Sequence, residues 1–254
     1  MSKVIVITGA SSGIGAVLAK KLAERGDYLM LASRRAKELA QLARSCGRDT
    51  FAFTTDVTHR QDINRLRDEA IRTFGNVDVW INNAGRGIYR NVLDLTDEDI
   101  DEMLSVNVKA ALYGMQAIVP HFKEQGKGHL INVSSILSRV PYLSMRSAYS
   151  ASKSALNALT ANLRMDLRKE YPGIHVSLVL PAAAATDFSA NALHAPDGAT
   201  MISPNAQPIE DVVKVIIDLI DNPRAEVYTN PVIQSGLVKK YFENVDEFEE
   251  NMGN

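Results

Sequence analysis

Thr8-Gly9-Ala10-Ser11-Ser12-Gly13-Ile14-Gly15 follows the short apolar run Val4-Ile5-Val6-Ile7 and leads straight into Ile14, Val17, Leu18 and Leu22, which recur at helical spacing until Gly26. A buried strand, a glycine-rich turn and a helix in that order set the pattern for the rest of the chain. Further strands are predicted over residues 28–32, 51–54, 77–81, 129–133, 174–180 and 226–228. Helices are predicted over 36–45, 61–74, 97–125, 147–170 and 209–220. Thr96 with Asp99 three residues later is an acidic variant of the capping box and opens the first of the two long helices. Strands buried on both faces and separated by helices imply a parallel sheet covered on both sides. The expected fold is therefore α/β: one doubly wound, Rossmann-type domain over 1–254, with a mostly parallel seven-stranded sheet. No Pro/Gly/Ser linker divides it. Residues 188–207, with His194, Pro196, Gly198 and Pro204, break the rhythm and read as a binding loop or lid. Residues 243–254 form an acidic tail, expected to be solvated or weakly helical.

Composition narrows the classes of function. The chain has 254 residues, 46% of them hydrophobic and 23% charged, which suits a folded globular protein. A net charge of -2 lacks the positive field of a nucleic-acid binder. No apolar window approaches ~18 residues and the N-terminus does not read as a signal peptide, so no membrane span is predicted and a cytoplasmic location is expected. One cysteine, Cys46, precludes an intrachain disulfide and reads as a passenger on a surface helix. The five histidines are scattered, with no metal-ligand spacing, and no metal is expected.

The glycine loop reads as an anion cradle. Gly9 and Gly13 suit a tight turn and close approach of backbone to a ligand, and Gly15 lets helix and sheet pack closely. With Ser11, Ser12 and Ile14 they surround the free N–H groups of a helix start, which favour a pyrophosphate. At the end of the second strand an NAD binder places an acid, about 20 residues past the glycines. Here stand Ser33-Arg34-Arg35 instead. Two guanidiniums suit a 2′-phosphate, so the expected cofactor is NADP(H).

Tyr149 and Lys153 lie i, i+4 on one face of the second long helix. A phenol of pKa ~10 is a poor acid near neutrality, and a cation about 5 Å away at an effective dielectric of ~20 is worth roughly two pKa units. Tyr149 could then exchange a proton with an alcohol or ketone. Asn132-Val133-Ser134-Ser135 and Asn82-Asn83-Ala84-Gly85 end the fifth and fourth strands, where open α/β sheets present ligand groups. Asn107 sits between Val106 and Val108 in a helix it does not favour, and an inward role is expected.

These motifs, with Asp56-Val57 after the third strand and Pro181 with Thr186 after the sixth, resemble the short-chain dehydrogenase/reductase family. The resemblance spans about 3–187, nearly three quarters of the chain. It implies NADPH-dependent, reversible reduction of a ketone or aldehyde to an alcohol. Tyr149 would be the general acid or base, Lys153 would bind the nicotinamide ribose and lower the Tyr149 pKa, and Ser135 would polarise the carbonyl. Asn107 would hold a water in a proton relay. Asp56 and Val57 would contact adenine, Asn83, Ala84 and Gly85 would line the ribose region, Pro181 would belong to the cofactor site, and Thr186 would bind the nicotinamide carboxamide. It also implies a homo-dimer or homo-tetramer built through the two long helices, and a small-molecule carbonyl or alcohol substrate.

Two departures stand out. The Ser135–Tyr149 stretch is one residue longer than usual, so Ser134 or a shifted loop is an alternative to Ser135. Ala182-Ala183-Ala184-Ala185 replaces the usual Pro-Gly and bulky aliphatic pattern. Alanine at 182 resists positive φ and the trimmed side chain at 184 leaves room beside the nicotinamide, which predicts either a looser cofactor grip or a wider substrate pocket. The pocket is expected to draw on 136–145 and 188–193, with Val140, Tyr142, Leu143, Phe188 and Leu193 as apolar walls. No pattern marks a charged substrate group: Arg86, Arg90, Arg139 and Arg146 either bind one or stand in solvent. The rivals are a 3-oxoacyl-carrier-protein reductase and, from another class, an NADP-sensing or scaffold protein on the same fold. Asn107, Ser135, Tyr149 and Lys153 together argue against the last.

Overall fold

The first strand, β1 (Val4–Thr8), shows how the layers are built: Val4 and Val6 point into one apolar cluster, Ile5 and Ile7 into another on the opposite face. That period of two, with both faces apolar, is what a central parallel strand requires. In the computed structural model, which describes residues 2–196 and 206–252, six more strands join it. They are β2 (Tyr28–Ser33), β3 (Thr50–Thr54), β4 (Val79–Asn82), β5 (Gly128–Val133), β6 (Ile174–Leu180) and β7 (Glu226–Tyr228). Their order is β3-β2-β1-β4-β5-β6-β7 and every pair is parallel. The chain reverses direction across the sheet between β1 and β4, so a crevice opens outside their carboxyl ends.

Helices α1 (Gly13–Glu24), α2 (Ala36–Cys46) and α7 (Ile209–Asp221) cover one face. The other is covered by α3 (Arg60–Phe74), α5 (Ala110–Gln125) and α6 (Ser147–Arg168). The helix expected over 97–125 exists but is not uniform. It runs as α4 (Asp97–Leu104), a π-helical turn (Ser105–Lys109) and α5. Thr96 and Asp99 form the expected capping box. The fourth strand starts two residues later than its apolar pattern, because Val77 is spent packing in the core ahead of the ladder.

Cys46 is half-buried against the α1–α2 cluster, where burial pushes its thiol pKa up. Ahead of the tail a further helix, α8 (Pro231–Glu243), sends Leu237 and Val238 into a third apolar cluster; within the tail the acidic α9 (Val245–Met252) is an exposed helix. Of the loop expected over 188–207, residues 197–205 lie outside the described residues. Among those described, no helix is long and apolar enough to cross a membrane, and no group of three His, Cys, Asp or Glu could hold a metal.

His129, on central strand β5, is buried, bonded through Nε2 to Ser177 Oγ at 2.8 Å. Burial drops its pKa from the ordinary 6.5 to about 3. Between those values the unfolded chain takes up a proton that the folded one refuses, so stability falls as pH is lowered from 6.5 towards 3. The expected contribution is a slope of up to about 1.4 kcal/mol per pH unit. Urea midpoints measured across that range should show it, and His129→Leu should flatten the slope.

Candidate functional site

A cleft of about 750 Å³ runs along the carboxyl ends of the central strands. At one end it is floored by the glycine loop. Gly9, Ser11, Ser12, Gly13 and Ile14 line it. Gly9 has φ +65°, and a Cβ there would sit 2.7 Å from Ala84 Cα. Gly15 lies beneath the loop and does not line the cleft. A Cβ on it would fall 2.6 Å from Gly9 O, so its role is to let α1 approach. Asn83 clamps the loop from β4, donating from Nδ2 to Thr8 O at 2.9 Å and to Gly9 O at 3.2 Å. Ser12 is the N-cap of α1 but its side chain caps nothing, which leaves the first-turn N–H groups open to an anion.

Arg34 and Arg35 border the same end. Arg35 donates from Nε to Ser11 Oγ at 3.0 Å and also bonds Ser12 Oγ, so it braces the loop. Beside them Ser33 Oγ is buried and has no hydrogen-bond partner among the described residues. Asp56 and Val57 complete the wall. Burial raises the Asp56 pKa, but hydrogen bonds from Thr58 and the charge of Arg34 outweigh it and hold the carboxyl below its usual range.

At the other end Tyr149, Lys153 and Ser135 meet. Tyr149 is buried, its ring 5.5 Å from that of Phe188. Burial pushes the phenol up, while a hydrogen bond with Ser135 and the charge of Arg146 pull it back, leaving it above the ordinary tyrosine value. Lys153 Nζ is 5.9 Å from the Tyr149 ring and donates to Val133 O at 2.9 Å. Burial lowers its pKa to about 8. Arg146 is thus a second cation acting on the phenol, which the i, i+4 spacing does not reveal. Between the two serines, Ser135 is the one directed at Tyr149. Ser134 Oγ turns into α6, to Asn157 Oδ1 at 2.6 Å.

Asn107 is fully buried in the π turn and does not line the cleft. Its amide accepts from Arg86 N and donates to Arg86 O, both at 2.9 Å, and to Ser152 Oγ at 3.0 Å. Gly85, on the cleft wall beside Ala84, separates it from Lys153: a Cβ there would lie 3.1 Å from Asn107 Oδ1 and 3.3 Å from Lys153 Nζ. Widened π turns recur at functional sites, and here one aims a helix-disfavouring side chain inward.

Pro181 and Thr186 line the cleft, with Ala182, Ala183 and Ala184 between them. The strain expected at Ala182 is absent. Among the described non-glycine residues only His194 has positive φ. Gln207 instead pairs with the run like a strand, donating to Ala183 O at 2.8 Å and accepting from Ala185 N at 3.2 Å. Without positive φ alanine carries no such strain, which removes the ground for a looser cofactor grip. Two expected walls are also corrected. Val140 is wholly buried and Leu193 packs in the third apolar cluster; neither lines the cleft, whereas Tyr142, Leu143 and Phe188 do. Met145, Tyr89 and Arg146 join them. Tyr89 carried no signal, since it stands in an irregular loop.

A family model described as short chain dehydrogenase matches residues 3–197. The chain belongs to the short chain dehydrogenase family. An uncharacterized oxidoreductase of Bacillus subtilis (strain 168), YxnA, is 35% identical over 89% of this chain and 65% of its own length. The chain thus spans just under two thirds of that relative. A short chain dehydrogenase/reductase from Burkholderia phymatum, solved in complex with NAD, superposes with TM-score 0.86 at 27% identity, covering 96% of this chain and 94% of that one. A short-chain dehydrogenase from Sphingobium yanoikuyae, solved with NADPH, gives TM-score 0.79 at 28% identity, covering 90% and 88%. This short chain dehydrogenase is accordingly an oxidoreductase with the seven-stranded parallel fold of its relatives.

Proposed function

We propose that this protein uses NADPH to reduce a ketone or aldehyde, and runs the reverse alcohol oxidation. The observation that carries the reading is the meeting of Tyr149, Ser135 and Lys153 at one end of a cleft whose other end is an open helix start flanked by arginines. The solved relatives bind NAD in one case and NADPH in another. For this chain Arg34 and Arg35, standing where an NAD binder has an acid, favour the phosphorylated dinucleotide. The partnerless Ser33 hydroxyl and the glycine cradle fit such a ligand.

The nicotinamide, when bound, supplies the hydride. The rest falls to side chains. Ser135 donates to the carbonyl oxygen and orients it. Tyr149, held protonated by its burial, gives that oxygen its proton; the raised phenol suits the reducing direction near neutrality. Lys153, held by its bond to Val133 O, carries the positive charge beside the phenol. A homo-dimer or homo-tetramer, a single domain over the whole chain and a cytoplasmic location remain part of this proposal.

The test is a ketone and aldehyde panel with both nucleotides, followed across pH. Reduction dependent on NADPH should hold steady through neutrality and fall about tenfold per pH unit once the pH passes about 8, where Lys153 loses its proton. Tight nucleotide binding without turnover of any carbonyl compound would favour the sensor reading instead.

A further inference from the structure

Four arginines stand near the catalytic end, and their surroundings separate them. Arg86 pairs with Glu102 at 2.8 Å, Arg90 with Asp99 at 3.3 Å and Arg139 with Glu226 at 2.6 Å. Arg146 has no carboxylate partner among the described residues. Yet it is the most buried of them, 7% exposed, and it lines the cleft.

Its placement is built rather than incidental. The guanidinium stacks on the Tyr89 ring, Cζ 3.8 Å from the centroid. NH1 reaches Ile88 O at 3.4 Å and NH2 reaches Ser189 Oγ at 3.0 Å. Gly87 leaves the room: a Cβ there would lie 2.7 Å from Arg146 NH1. These bonds use two of five N–H donors. Arg146 is also the N-cap of α6, one turn before Tyr149, so cation and phenol face the same end of the cleft.

A buried cation without a counter-charge is costly, and the natural remedy is a ligand that brings one. Resting on the carbonyl-reductase reading above, we propose that the substrate is an oxo acid whose carboxylate is held by Arg146 while its carbonyl meets Tyr149 and Ser135. A carboxylate matches the planar donor fork. It also matches the charge. Arg86 is neutralised by Glu102, Lys153 is bonded to Val133 O, and Arg34 and Arg35 belong to the far end. Among the described residues at this end, Arg146 and Lys153 both lack a carboxylate; Lys153 sits beside the Tyr149 ring, which leaves the Arg146 fork for a monoanion.

The experiment uses the purified full chain with NADPH and matched pairs: 2-oxobutanoate, acetoacetate and 4-oxopentanoate, each against its methyl ester. The acid should exceed the ester in kcat/KM by about 100-fold or more for at least one pair, the scale on which a buried charge pair discriminates. Arg146→Met should collapse that ratio towards unity, and Arg146→Lys should keep part of it, with the charge but without the fork. NADPH titration checks that each variant is folded. Should neither fold, competition on the native protein decides: butanoate inhibiting ester reduction at about tenfold lower concentration than butanamide supports the carboxylate site, and equal inhibition overturns it. Equal rates on acid and ester, or a ratio that survives Arg146→Met, overturns it too. So does an Arg146 variant that shifts the pH profile on acid and ester alike with the ratio intact, because Arg146 would then serve only the phenol. If esters and neutral ketones are reduced in a Tyr149-dependent way without preference for acids, the reductase reading stands and the carboxylate site falls. If nothing is reduced, both fall.

Discussion

Tyr149→Phe is expected to cut carbonyl reduction by about 10²–10⁴-fold, the range a positioned proton donor contributes. The substitution keeps the ring against Phe188 and removes only the hydroxyl that faces Ser135. NADPH affinity should stay within about threefold, since the phenol lies at the far end of the cleft from the glycine loop. Stopped-flow NADPH oxidation at saturating nucleotide isolates the chemical step. Unchanged turnover would remove Tyr149 from the reaction as its proton donor.

The second large effect concerns nucleotide choice. Arg34→Ala should weaken NADPH by about 10–100-fold while changing NADH by less than about threefold, as expected for loss of one charge-assisted contact to a phosphate. Arg35→Ala should behave differently. Arg35 already bonds Ser11 and Ser12, so its loss loosens the loop that would serve both nucleotides. NADPH and NADH should then weaken together, with an additional loss for NADPH. Equilibrium titration of both nucleotides against both variants reads this directly. Equal losses for Arg34→Ala would take away the 2′-phosphate argument.

Those contrasts mark how far the sequence could be read. Arg34 and Arg35 are adjacent and chemically identical, and both were assigned to the phosphate. Only their contacts distinguish a brace from a free cation. Similarly Asn107 was expected inward because asparagine between two valines suits a helix poorly, and it is buried. The π turn that carries it has no local signature, because an extra residue in a helical turn leaves the apolar period almost unchanged. The alanine run reads as strained if residue 182 needs positive φ. Residue 182 has no positive φ, and Gln207 bonds the run at Ala183 and Ala185; no feature of the run itself announces that distant partner.

Sequence alone determined the parallel sheet, the glycine-rich turn and the Tyr149–Lys153 face, because each depends on backbone sterics or on a fixed residue period, which neighbouring residues set among themselves. Tertiary structure decided which cations are spent. Glu102 is 16 residues from Arg86 and Glu226 is 87 from Arg139. Folding brings those acids to their arginines and, among the described residues, brings none to Arg146. A charge's role depends on what faces it across the fold, and that is a property of packing rather than of order along the chain.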